Sequence, residues 1–160
     1  MTLAIRRVVT GHDDTGKAIV VTDSTSVNQP NRRPGTEASV IWTTEGFPVD
    51  NDGYEDTSQS QEATTHANGS VFRIVSFGPG NTPRMHRTDS VDYAVVMSGE
   101  IDMELDDGNL THLKAGDVVV QRGTIHNWKN RGTEPCLIAF ILIHAKPVEA
   151  GGKVLAATMH

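Results

Sequence analysis

Two stretches decide how this chain is read. The first is Gly80-Asn81-Thr82-Pro83-Arg84-Met85-His86-Arg87-Thr88-Asp89-Ser90-Val91-Asp92, which continues through an apolar run to Ser98-Gly99. The second is Gly116-Asp117-Val118-Val119-Val120-Gln121-Arg122-Gly123-Thr124-Ile125-His126, which ends at Asn130. Each surrounds an imidazole with glycines, residues that accept backbone turns closed to others. Between them, Ile101-Asp102-Met103-Glu104-Leu105 alternates apolar and acidic residues. Period two predicts a strand with one buried and one wet face. Asp106-Asp107-Gly108-Asn109 supplies the hairpin turn that follows.

The same strand-and-turn grammar extends outward. Arg6 to Thr10 and Ala18 to Thr22 are β-branched stretches around a turn at residues 12–17. Residues 23–37 are polar, with Pro30 and Pro34, and read as a loop. Ala38 to Thr43, with Trp42, reads as a strand. Residues 46–65 read as a long surface loop or lid, because loops of that length are uncommon unless functional. Val71 to Phe77 is a strand stopped by Gly78-Pro79-Gly80, and Val91 to Met97 is another. Val118-Val119-Val120 and Leu137 to Ile143 are continuous apolar runs and predict strands buried on both faces. The tail from Pro147, with Gly151-Gly152, is either a docked strand or a mobile end. No run of helical length carries apolar residues at helical spacing. About ten short strands favour an all-β sandwich or closed barrel.

Composition narrows the class. A chain of 160 residues predicts one domain over 1–160: N-terminal strands and loop 1–70, a core 71–145 and a tail 146–160. The formal charge is −6, and no basic stripe exists to neutralise phosphates, so nucleic acid is not an expected partner. Arg32-Arg33 is too short for that role and reads as a solvated loop. The single cysteine, Cys136, cannot form an intrachain disulfide and reads as a small buried hydrophobe. The first seven residues lack a signal-peptide core, and Leu137 to Ile143 is too short to span a bilayer. The expectation is a cytoplasmic protein without membrane partners, in which the sequons at Asn68 and Asn109 are chance matches.

The two opening stretches resemble the cupin superfamily. Its first motif runs Gly, five residues, His-x-His, three or four residues, Glu, six residues, Gly; Gly80, His86, Asp92 and Gly99 fall at those spacings. Its second runs Gly, five residues, Pro-x-Gly, two residues, His, three residues, Asn. Gly116, Gly123, His126 and Asn130 match, with one residue fewer and Gln121 in the proline's place. The resemblance covers residues 71–143 and implies a cupin-type double-stranded β-helix, a jelly-roll barrel. Thr88 stands where the family has its second histidine, and Asp92 where it has the longer Glu.

The resemblance also implies a site. His86, Asp92 and His126 are the candidate catalytic residues and the candidate ligands of a divalent metal ion, with Fe, Mn, Ni or Zn suited to two imidazoles and a carboxylate. The alternative left open is that both histidines are pocket residues hydrogen-bonded to Asp92 without an ion. Arg84 and Arg87 flank His86 and could clamp a substrate carboxylate. Gln121 and Trp128 are candidate pocket-lining residues, whereas Tyr93 should face the other side of its strand. His66 is a candidate for the pocket mouth. His12, His112, His144 and His160 have no motif context. The implied function is a small enzyme acting on an organic acid or carbonyl compound by non-oxidative chemistry: decarboxylation, dehydration or isomerisation. An Fe(II)-dependent dioxygenase and a non-catalytic small-molecule-binding cupin are the alternatives. A homodimer is expected, since strand-rich barrels have edges to protect.

Overall fold

Turn chemistry and β-branched runs cut the chain into short strands, and a computed structural model describes them over residues 3–26, 33–59 and 65–159. In chain order these are β1 (Ile5–His12), β2 (Ala18–Ser26), β3 (Thr36–Glu45), β4 (Gly69–Phe77), β5 (His86–Arg87), β6 (Ser90–Ser98) and β7 (Glu100–Glu104). They are followed by β8 (Leu110–Lys114), β9 (Val118–Arg122), β10 (Asn127–Lys129), β11 (Cys136–His144), β12 (Val148–Ala150), β13 (Lys153–Leu155) and β14 (Thr158–Met159). Two single 3-10 turns, Thr57–Gln59 and Asp106–Gly108, complete the described elements. Arg32, His160 and residues 60–64 of the expected lid lie outside the described residues.

A five-stranded antiparallel sheet, ordered β3-β4-β11-β6-β9, forms one wall. A three-stranded sheet, β10-β7-β8, faces it. Inward residues at every second position fill the space between: Val71, Val75 and Phe77 from β4, Ala94 and Val96 from β6, Ile138, Phe140 and Leu142 from β11, and Ile101, Leu113 and Trp128 from the facing sheet. Trp128 and Phe140 meet edge to face, 5.5 Å between centroids, and so join the two walls. Cys136 is fully buried beside them, and burial pushes its thiol up to about 11, as expected of an inert packing residue. On the outer face of the large sheet, Leu3 packs against Ile41 and Ile74, with Ile5, Phe72, Leu137 and Ala139 around them.

The expected β1–β2 hairpin forms. Asp13 caps its turn, accepting from the Thr15 and Lys17 amides at 2.8 and 3.0 Å. The tail docks: β12 and β13 form a hairpin through Gly151-Gly152, and β14 pairs with β5.

Three expectations change. The acidic face of β7 is not wet: Asp102 is buried under Arg131 and His112, and Glu104 bonds Lys129 and Asn127. Continuous apolar sequence fits the central strand β11, but β9 is an edge strand whose Val118 and Val120 are exposed. The described part of the 46–65 loop folds back on β3, where the Thr43 amide donates to Thr57 Oγ1 at 2.9 Å. With Trp42 and His66 it lines a separate cleft of about 570 Å³ that none of the candidate catalytic residues borders.

Candidate functional site

Strand β5 is only two residues long, yet it is held on both sides. His86 exchanges backbone hydrogen bonds with His126, 2.9 Å in each direction, and faces Met159 of β14 on the other edge. Two motif segments distant in sequence thereby bring their imidazoles together, with ring centroids 4.2 Å apart.

Both rings are oriented by the same local device. Nδ1 of His86 lies 3.0 Å from the Arg84 carbonyl, and Nδ1 of His126 lies 2.9 Å from that of Thr124. A carbonyl oxygen only accepts, so each Nδ1 carries the hydrogen and each Nε2 keeps its lone pair. Burial pushes His126 down to about 3, helped by His86 and Arg73. Burial also lowers His86, with Arg84, Arg73 and Arg33 adding to the effect. Both imidazoles are therefore neutral proton acceptors near pH 7. Trp128 packs edge-on against His126 at 6.1 Å, so it is at once core and wall.

Asp92 comes from the opposite sheet. It is 4% exposed and accepts from Ser90 Oγ at 2.5 Å; Ser90 Oγ lies 2.8 Å from Thr88 Oγ1. Ser90 has one hydroxyl hydrogen and gives it to Asp92, so Thr88 is the donor to Ser90. Burial raises the Asp92 carboxyl, while the Ser90 bond and the charge of Arg73 pull it back. Asp92 thus has a hydroxyl chain as its hydrogen-bond partner and lies in the field of Arg73. Beside it in the register sits Gln121, 4% exposed, with neither amide atom hydrogen-bonded.

This arrangement corrects the expected metal set. Among the described residues, no group of three His, Cys, Asp or Glu side chains is placed to hold a metal ion. The physical reason is visible at both departures from the motif. The shorter Asp92 is bonded to Ser90, and Thr88 contributes a hydroxyl spent on Ser90 instead of an imidazole. Two imidazoles remain together, and the residues present do not fit a site for Fe, Mn, Ni or Zn built from His86, Asp92 and His126.

Arginines take the vacated role of local charge. Arg73 stands opposite Phe140 in the register, its guanidinium carbon 5.8 Å from that ring's centroid, and burial lowers it to about 10. It is also felt by Asp92, His86 and His126. Arg84 and Arg33 act on both His86 and Arg73. Sequence reasoning picked Arg84 and missed the other two. Arg73 carried a signal, being the one charge at inward parity in Val71 to Phe77. Arg33 carried none beyond its basic neighbour. Arg87 goes elsewhere: alternation turns it away from His86, its Nε donates to the Gly123 carbonyl at 3.1 Å, and it lines an outer cleft with Arg122, Ile125 and Val148. Tyr93 faces outward, as the strand parity predicts. His66 lines the separate cleft under the 46–57 loop.

Comparison with known proteins agrees with this geometry. Residues 73–143 match the family model described as the cupin domain. Phomopsin biosynthesis cluster protein C' of Diaporthe leptostromiformis is 53% identical over 88 residues, covering 54% of this chain and 47% of that protein. The match thus spans about half the length of that relative. The cupin-domain-containing oxidoreductase fogC of Aspergillus ruber is 35% identical, covering 92% of this chain and 76% of its own. Among solved structures, the cupin domain of Schizosaccharomyces pombe Cnp3 superposes with a TM-score of 0.52 at 12% identity, over 88% of this chain and 87% of that one, a likeness of fold.

Proposed function

The chain belongs to the cupin family, and on that premise we propose that it is an enzyme moving a proton within a small anionic organic acid or carbonyl compound bound inside the barrel. The observation that carries this reading is the pair of buried, neutral imidazoles, His86 and His126, whose Nδ1 hydrogens are fixed on carbonyls while arginines supply the surrounding charge. Arg33, Arg73 and Arg84 attract a carboxylate or enolate, and guanidinium groups bind such groups strongly through paired hydrogen bonds.

Binding such an anion offsets the positive field that depresses both histidines. Nε2 of His126 or His86 then becomes the stronger base at the moment it is needed. It takes a proton from the carbon beside a carbonyl, and the electron pair moves to oxygen as an enolate that Arg73 or Arg84 stabilises. Return of the proton to another carbon completes an isomerisation; its return to a β-hydroxyl, which leaves as water as the enolate collapses to the alkene, completes a dehydration. Decarboxylation of a β-keto acid passes through the same enolate. Asp92, fixed by the Ser90 hydroxyl, balances part of the charge of Arg73. Gln121 offers an unmatched donor and acceptor to a polar group on the ligand.

The test is proton exchange in deuterium oxide, followed by NMR, across a panel of keto and hydroxy acids. Exchange at the carbon beside the carbonyl is expected with wild type and lost with His126→Gln and His86→Gln. No exchange with any panel member would remove the reading. A second reading, oxidation of the substrate, is favoured by the name of the relative with 35% identity over nearly the whole chain. Substrate-dependent oxygen uptake, without proton exchange in its absence, would select it. The name of the 53% relative points to a biosynthetic small molecule as the place to look for the substrate.

A further inference from the structure

Val118 and Val120 of β9 are exposed, so strand alternation turns Val119 and Gln121 inward. Val119 packs on the core, opposite Ala94 of β6; Gln121 lies opposite Asp92. Apolar side chains suit that interior, and Gln121 is not one. It is 4% exposed, and among the described residues neither its Nε2 nor its Oε1 has a hydrogen-bond partner. The hydroxyls around Asp92 do not serve it: Thr88 donates to Ser90, and Ser90 donates to Asp92. A buried amide without partners is costly, and an apolar side chain of the same shape would fill the position more favourably. The amide is therefore kept for something that enters.

Resting on the anion site proposed above, we infer that Gln121 is a specificity-determining residue that reads an amide group, so that the substrate is a small carboxylate carrying a carboxamide or peptide-type amide. The Gln121 side chain presents a donor and an acceptor in one plane. An amide on the ligand meets both: its carbonyl accepts from Nε2 while its N–H donates to Oε1. A ketone accepts from Nε2 and leaves Oε1 bare. A carboxylate does the same and brings a negative charge up to the Asp92 carboxyl. The ligand's own carboxylate belongs with Arg73, whose charge acts on Asp92 and on both imidazoles and so links the neighbour of Gln121 to the proton-transfer pair. Sites built to hydrogen-bond a substrate group reject analogues that lack it far more strongly than apolar pockets reject a changed methyl group.

Two anions of equal charge and nearly equal outline test this: succinamate, and 4-oxopentanoate, in which a methyl group replaces the amide nitrogen. Binding is followed through the ring-nitrogen resonances of His86 and His126 in the full chain. Wild type is expected to bind succinamate at least about tenfold more tightly, and Gln121→Met, which keeps the side-chain length and removes both amide groups, should bring the ratio to about one. Ligand-free Gln121→Met should melt no lower than wild type, because no partner is orphaned. In unmodified protein, the Gln121 side-chain amide protons should shift on adding succinamate and stay in place with 4-oxopentanoate. Equal binding of the two anions, a preference that survives Gln121→Met, or a lower melting temperature in that variant would each overturn the amide assignment and leave the anion site standing. Histidine resonances indifferent to both anions and to succinate would overturn the two together.

Discussion

At the scale of single residues, the motif positions divide into chemistry and scaffold. Asn130 belongs to the scaffold. It is 1% exposed, and its amide donates to the Phe77 and Glu134 carbonyls at 2.8 Å while its own oxygen accepts from the Gly132 amide. Asn130→Ala orphans the buried Phe77 carbonyl and is expected to cost about 1–3 kcal/mol, read as a fall in the denaturant midpoint with unchanged slope. His126 belongs to the chemistry, and its burial has a pH signature. The folded ring is held far below its ordinary 6.5, so the unfolded chain binds a proton that the folded one refuses. Stability is complete above 6.5 and declines as pH falls, until the folded ring itself protonates near 3. His86 acts in the same direction. Asp92 acts oppositely, since its raised carboxyl holds a proton more readily in the folded state and so favours folding as pH falls toward the ordinary carboxylate range. Urea midpoints measured from pH 7 to 4 should fall less steeply in His126→Asn than in wild type; parallel curves would show that the ring is not shielded as described.

At the scale of elements, turns and short strands position the site. Gly99 ends β6 at φ +75°, and a Cβ there would meet the Pro135 carbonyl oxygen at 2.6 Å. Gly99→Ala therefore strains the backbone and collides with it, and a loss of at least about 1–3 kcal/mol is expected in thermal or urea unfolding. The two-residue β5 depends on β14, whose Met159 stands opposite His86. Deleting residues 156–160 removes β14 from β5, so hydrogen exchange at the His86 amide region should accelerate and proton-transfer activity should fall. The strands themselves were legible from period two and turn residues, and so was the meeting of His86 and His126, because glycine spacing fixes where the two motifs turn. What escaped was set by partners far away in sequence. Nothing in Ile101 to Leu105 announces that Arg131 and His112 cover Asp102. Nothing in the motif shows that Ser90 will take up Asp92 and Thr88 and so leave the expected metal set unassembled.

At the scale of the whole molecule, charge is arranged against the average. The chain carries a formal −6, yet Arg33, Arg73 and Arg84 act together on the interior beside His86, where Asp92 is the acidic counterpart. On the proposed function, an anion inside the barrel is held by these arginines, because the low-dielectric barrel wall concentrates their field. Ligand binding to the folded state alone stabilises it by about 2.7 kcal/mol at a hundredfold excess over Kd. For a domain of this size that is a rise in Tm of about 5–10 °C. A small dicarboxylate or keto acid should therefore raise Tm at saturating concentration, and its neutral amide should not. Arg73→Gln and Arg33→Gln should each abolish the rise. Equal stabilisation by acid and amide, or a rise that survives both substitutions, would mean that the arginines shape the barrel without choosing its ligand.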